Sequence, residues 1–164
     1  MKFRIDQRIP APLTAVEDAL LDRDFIAATA ELPKLGSPEV LESSRDGDRA
    51  HQRIRYRFTA QLSGAVTRVV DPGKLTWVDD ARYDLTAHTS RHRIEPDNYG
   101  DRLQASYDVS LEPLGGSTRR LVNGELTVHV PLVGGRVERA IVDGLEEHAN
   151  AEAELLGHWI AERS

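Results

Sequence analysis

The strongest constraint in this chain is a change of hydrophobic period. From Ser37 to Pro131 apolar residues recur at every second position, and after Pro131 they recur at helical spacing almost to the end. A period of two sustained that long describes strands with one face on a core and the other in water. Turn signals at Asp46-Gly47-Asp48, Ser63-Gly64, Asp71-Pro72-Gly73, Asp97-Asn98-Tyr99-Gly100 and Gly115-Gly116 divide it into about six. The cleanest strands are 50–62, 103–111 and 122–130. In the first, Ala50, Gln52, Ile54, Tyr56, Phe58, Ala60 and Leu62 share the inner parity. In the second, the inner set is Leu103, Ala105, Tyr107, Val109 and Leu111, and in the third Val122, Leu126, Val128 and Val130. The stretch 83–95 is less regular. Leu85 and Ala87 lie on one parity and Ile94 on the other, which predicts a bulge or a poorly packed strand.

Another strand opens the chain, with Phe3, Ile5 and Ile9 on one parity and charged residues on the other, until Pro10 and Pro12 end it. Thr14 as N-cap and Glu17 as capping-box partner predict a short helix over 15–21, and Phe25–Ala30 predicts a second. After Pro131, Val137, Ile141, Leu145, His148, Leu155 and Trp159 form one stripe of a helix over 134–162, which at 1.5 Å per residue is about 40 Å long. The expected fold class is α+β: a curved antiparallel sheet of about seven strands, two short N-terminal helices and one long C-terminal helix laid over the sheet. At 164 residues and 40% hydrophobic content, one domain spanning 1–164 can bury a core without a staple.

Composition removes several functions. With no cysteine, thiolate metal sites, redox pairs and cysteine nucleophiles are out. A formal charge of -6 argues against a nucleic-acid partner. The first residues alternate apolar and charged, unlike an export signal, and no apolar run is long enough to span a membrane, so integral membrane association is not expected and the cytoplasm is the expected compartment.

Four segments carry a family likeness: Leu35-Gly36-Ser37-Pro38-Glu39-Val40-Leu41, Arg53-Ile54-Arg55-Tyr56-Arg57-Phe58-Thr59, Asp71-Pro72-Gly73-Lys74-Leu75-Thr76-Trp77-Val78, and Val130-Pro131-Leu132-Val133-Gly134-Gly135-Arg136-Val137-Glu138. Together with the order of elements, they resemble the helix-grip superfamily of START lipid-transfer domains, birch-pollen-allergen-like proteins and polyketide cyclase-like proteins. The closer resemblance is to an uncharacterised bacterial family within it. The resemblance implies a curved sheet gripping the long helix, with an apolar cavity between them that takes lipids, isoprenoids, polyketides or similar molecules.

Within such a cavity the candidate lining residues are Phe25, Tyr56, Phe58, Trp77, Tyr107, Ile141, Leu145 and His148. Tyr56, Tyr107 and His148 are its expected polar anchors, and the small residues Ala60, Ala105 and Gly124 leave room. Other features have simpler explanations. His88 and His92 would share a strand face roughly 13 Å apart, too far for one zinc ion, and with His51 and His129 they are expected at the surface. Arg53, Arg55 and Arg57 form an outer stripe that acids on neighbouring strands would neutralise. Gly134-Gly135 is a tight strand-to-helix turn, lacking the Lys-Ser/Thr ending of a phosphate loop. Asp79-Asp80 and Glu146-Glu147 diverge and are expected on wet faces. No metal, cofactor or catalytic residue is assigned. The leading function is binding of an apolar small molecule without catalysis. The alternatives are a cyclase or isomerase using the cavity tyrosines and histidine, and a protein-interaction module with a vestigial cavity.

Overall fold

A computed structural model describes residues 1–164. Seven strands, β1 (Lys2–Ile9), β2 (Glu39–Asp46), β3 (Arg49–Arg57), β4 (Thr76–Asp84), β5 (Thr89–Pro96), β6 (Leu103–Leu114) and β7 (Ser117–Val128), form one antiparallel sheet in the order β1-β7-β6-β5-β4-β3-β2. From β2 to β7 each strand pairs with the next, and β1 closes onto β7. The segment joining the two edge strands carries helices α1 (Leu13–Leu20) and α2 (Arg23–Ala28). A short α3 (Gly64–Thr67) precedes β4, and α4 (Gly134–Glu162) follows β7 and packs against β1 and β7. This is the α+β helix-grip arrangement.

Local chemistry departs from the expectations in four places. The strand expected over 50–62 ends at Arg57, and Phe58 keeps only an isolated bridge to Leu35. Val66 in α3 and Val70 in the turn just after it, joined by a Val70 N–H to Val66 carbonyl bond, point inward together and join Phe58, Leu75 and Trp77 in a core of 13 buried residues. The irregular stretch 83–95 is a hairpin between β4 and β5. Its turn has no glycine or proline signal. Instead Asp84 Oδ1 accepts from the backbone N–H groups of Thr86 and Ala87, and His88 takes φ +57.

The start of α1 also differs. Its N-cap is Pro12, with no side-chain cap, and Glu17 turns inward to meet His88 Nδ1 at 2.8 Å instead of completing a capping box. In α4 the stripe holds through Val137, Ile141 and His148 but then shifts, with Leu156 and Ala153 more deeply buried than Leu155. A strict seven-residue repeat drifts about 20° per heptad on a straight helix, so the inward face has moved one residue on by the last turns. There Leu156 and Ala153 join Phe25, Val16 and Ile9 in a second core of nine buried residues, and Phe25 meets Trp159 edge to face at 5.6 Å. Close approach of α4 depends on Gly144 against the Phe58 ring and Gly157 against Pro10. Gly134 likewise sits where a Cβ would lie 2.5 Å from the Val128 carbonyl oxygen, as a tight strand-to-helix turn requires.

The outer face follows the sequence reading. Arg53 pairs with Glu95 and Asp80, and Arg55 with Asp97 and Glu39; Arg57 is exposed.

Candidate functional site

Register builds the centre of the inner face. One row runs Gln52, Ala81, His92, Tyr107, Gly124, Phe3 across β3, β4, β5, β6, β7 and β1. The next runs Ala50, Tyr83, Ser90, Val109, Val122, Ile5. Gly124 does not leave room, because the Phe3 ring covers it: a Cβ there would lie 2.3 Å from Phe3 Cζ and 2.7 Å from Tyr107 Cβ. Small Ala81 lies between Gln52 and His92, and Asp79, two residues before it on the same face, reaches the imidazole.

Over these rows lies a cavity of about 200 Å³, closed on one side by α4 and α2. Of its 30 lining residues, 22 are hydrophobic, including Leu35, Ile54, Leu75, Leu103 and Leu126. Seven of the eight residues singled out in the sequence line it: Phe25, Tyr56, Trp77, Tyr107, Ile141, Leu145 and His148. Phe58 does not, since its ring packs against Gly144 within the core. Ala105 lines the cavity, whereas Ala60 packs against the core beside it.

Polar groups gather at one part of the wall, and most of them were not anticipated. Asp79, Ser90 and His92 are only 8–9% exposed, so the expectation of a surface His92 and a solvated Asp79 is corrected. His92 Nδ1 lies 3.0 Å from Asp79 Oδ1 and 3.2 Å from Oδ2, and His92 Nε2 lies 2.9 Å from Ser90 Oγ. A carboxylate can only accept, so Nδ1 carries the ring proton in neutral His92 and Nε2 accepts from the Ser90 hydroxyl. The Tyr107 hydroxyl donates to Asp79 Oδ2 in a short hydrogen bond. The imidazole is held between two rings, stacked on Tyr107 at 4.3 Å and edge-on to Tyr83 at 5.9 Å. Tyr83 donates to Gln52 Oε1 over a loose 3.4 Å. Burial first, and then the charge of Asp79, raises the ionisation of Tyr56, Tyr83 and Tyr107 above the ordinary phenol range, so all three stay neutral donors.

His148 is anchored differently from a ligand-poised group. Its Nδ1 donates to the Pro33 carbonyl at 3.0 Å, which ties α4 to the loop before β2. Arg120, buried on β7, donates to Gln7, Glu152 and the Ala149 carbonyl and so clamps α4 at the cavity wall. Of the remaining histidines, His51 pairs with Asp80 on the outer side and His88 sits in the β4–β5 turn. No group of three or more His, Asp and Glu side chains is arranged to hold a metal ion.

The signal for the buried network was present as parity. Asp79 shares its parity with Trp77, and Ser90 and His92 share theirs with Ile94. Anchoring the two strands separately turns all three inward; the diverging pair Asp79-Asp80 hid the first, and the irregular stretch 83–95 hid the other two.

Residues 4–160 match the family model described as "Protein of unknown function (DUF2505)". The chain belongs to this family. No functionally curated protein matches it significantly. Among solved structures, this DUF2505 member is similar to protein TTHA0849 from Thermus thermophilus, at 20% identity and TM-score 0.71, covering 100% of this chain and 99% of that one. It is similar to the Zhui aromatase/cyclase from Streptomyces sp. R1128, at 14% identity and TM-score 0.68, over 99% and 94% of the two chains. It is also similar to a START superfamily protein from Mycobacterium smegmatis, at 15% identity and TM-score 0.58, over 99% of each. At these identities the likeness establishes the shared fold. No helix of this DUF2505 protein is long and apolar enough to cross a membrane.

Proposed function

We propose that this protein binds a small, mainly apolar molecule with one polar group, held between the sheet and α4. The observation that carries the reading is the cavity itself: an apolar chamber of about 200 Å³ with neutral phenols, an amide and a hydroxyl gathered on one wall. Cavities of about 150 Å³ accept benzene, so this one suits a body of one or two rings, an isoprenoid unit or a compact polyketide-like fragment, but not a sterol or diacyl lipid. Apolar burial supplies affinity, and the Tyr56 hydroxyl orients the polar end. Trp77, Ile141 and Leu145 contact the body of the ligand, while Tyr107, bonded to Asp79, and His148, bonded to the Pro33 carbonyl, fix the walls around it.

Calorimetric titration with 1-naphthol tests this. Expected are one saturable site with a negative heat-capacity change and at least a tenfold loss of affinity in Ala105→Trp, which fills the chamber. Absence of saturable binding, or binding indifferent to Ala105→Trp, overturns the proposal.

A further inference from the structure

We propose that Ser90, His92 and Asp79 form a nucleophilic acyl-transfer site inside the cavity, and that the protein hydrolyses small apolar esters. The inference rests on the cavity admitting a ligand. Its own support is the order and direction of three contacts: carboxylate to Nδ1, Nε2 to hydroxyl, with the hydroxyl on a residue that lines the cavity. A nucleophile–base–orienter chain is recognised by this geometry and not by sequence position.

Stability alone gives no reason for the arrangement. A desolvated carboxylate, imidazole and hydroxyl on the inner face of a sheet cost more than an apolar trio of similar volume. The network also has an end: Ser90 is its terminal member, and beyond it lies the chamber. Asp79 is held by Tyr107 and His92 by the Tyr83 and Tyr107 rings, so the base cannot swing away from the serine. Tyr83 stands directly across the β4–β5 ladder from Ser90; its neutral hydroxyl turns to Gln52 on β3 over a loose 3.4 Å, and on leaving that partner it supplies the donor for the oxyanion.

With 1-naphthyl acetate the reaction runs in two stages, acylation of Ser90 and its hydrolysis. Ser90 Oγ bonds to the carbonyl carbon while its proton passes to His92 Nε2. The tetrahedral oxyanion, hydrogen-bonded by Tyr83, collapses and breaks the carbon–oxygen bond to naphtholate, which takes the proton from His92 and leaves as 1-naphthol. Water then attacks the acetyl-Ser90 carbonyl, giving its proton to His92. The second collapse releases acetic acid as Ser90 Oγ departs and recovers that proton. Asp79 stays ionised throughout and stabilises the imidazolium.

Two measurements on the full chain test the site. Diisopropyl fluorophosphate should add one diisopropylphosphoryl group, with loss of fluoride, and peptide mapping should place it on Ser90. Hydrolysis of 1-naphthyl acetate should fall at least about 100-fold in Ser90→Ala, with the loss falling on kcat. Tyr83→Phe should lower kcat about tenfold or more with little change in KM. If 1-naphthol binds but Ser90 is not phosphorylated, or if Ser90→Ala hydrolyses the ester at the wild-type rate, the acyl-transfer site is refuted and the binding function stands. If 1-naphthol does not bind at all, both proposals fall.

Discussion

Replacing Arg120 by methionine keeps the length of the side chain's apolar stem and removes only its charge and donors. Three contacts go at once: Nε to Gln7 Oε1 at 2.8 Å, one terminal nitrogen to Glu152 Oε1 at 2.5 Å, and the other to the Ala149 carbonyl at 3.0 Å. Gln7 in turn donates to Asn150 on α4, so the loss reaches both β1 and the helix. Arg120 is 5% exposed and the Glu152 side chain 19%, so water can only partly replace what is lost. Breaking one side of a buried pair costs about 3–5 kcal/mol, against a total stability of roughly 5–15 kcal/mol for an ordinary domain. At about 2–4 °C per kcal/mol for a chain of this size, Arg120→Met should lower Tm by about 10 °C. Urea unfolding followed by circular dichroism measures the loss as a fall in midpoint at unchanged slope. Adding Glu152→Leu removes the stranded carboxylate and should recover at least about 1 kcal/mol, on the order of what a contacting pair shows in a double-mutant cycle. A loss below about 1 kcal/mol for Arg120→Met, or strict additivity in the double variant, would refute the view that this cluster clamps α4 to the sheet.

Gly124→Ala should destabilise by about 1–3 kcal/mol, because the new methyl meets the Phe3 ring and Tyr107 Cβ well inside contact distance; a neutral result in urea would show that Phe3 moves freely. High pH should also unfold the protein. Tyr56, Tyr83 and Tyr107 hold their protons in the folded state above the ordinary phenol value of about 10, so only the unfolded chain releases them as pH rises past it. Their contribution is therefore complete below about pH 10 and lost progressively above it, with a slope that Tyr56→Phe reduces; flat stability through about pH 11 would contradict this.

The elements were legible because local periodicity dictates them. The long helix over 134–162, the inner parities of β3, β6 and β7, and the N-terminal strand all follow from where apolar side chains fall. The β4–β5 hairpin was not legible, because its turn depends on Asp84 capping two backbone N–H groups and on a histidine at positive φ, neither of which composition signals. That omission concealed the facing of Ser90 and His92, since a strand's facing depends on where its turn lies.

Seven cavity positions, from Phe25 to His148, could be named from alternation and helical spacing, because apolar residues at regular intervals have one place to go. The meeting of Asp79, Ser90, His92 and Tyr107 could not. These residues lie on three strands, and their contact depends on register, on the small Ala81 beside the imidazole and on the Phe3 ring over Gly124. Periodicity is a property of neighbours along the chain and assigns each residue a face. Distance across a sheet belongs to the pairing of strands, and it alone brings Asp79 from β4 and Tyr107 from β6 against the His92 imidazole on β5.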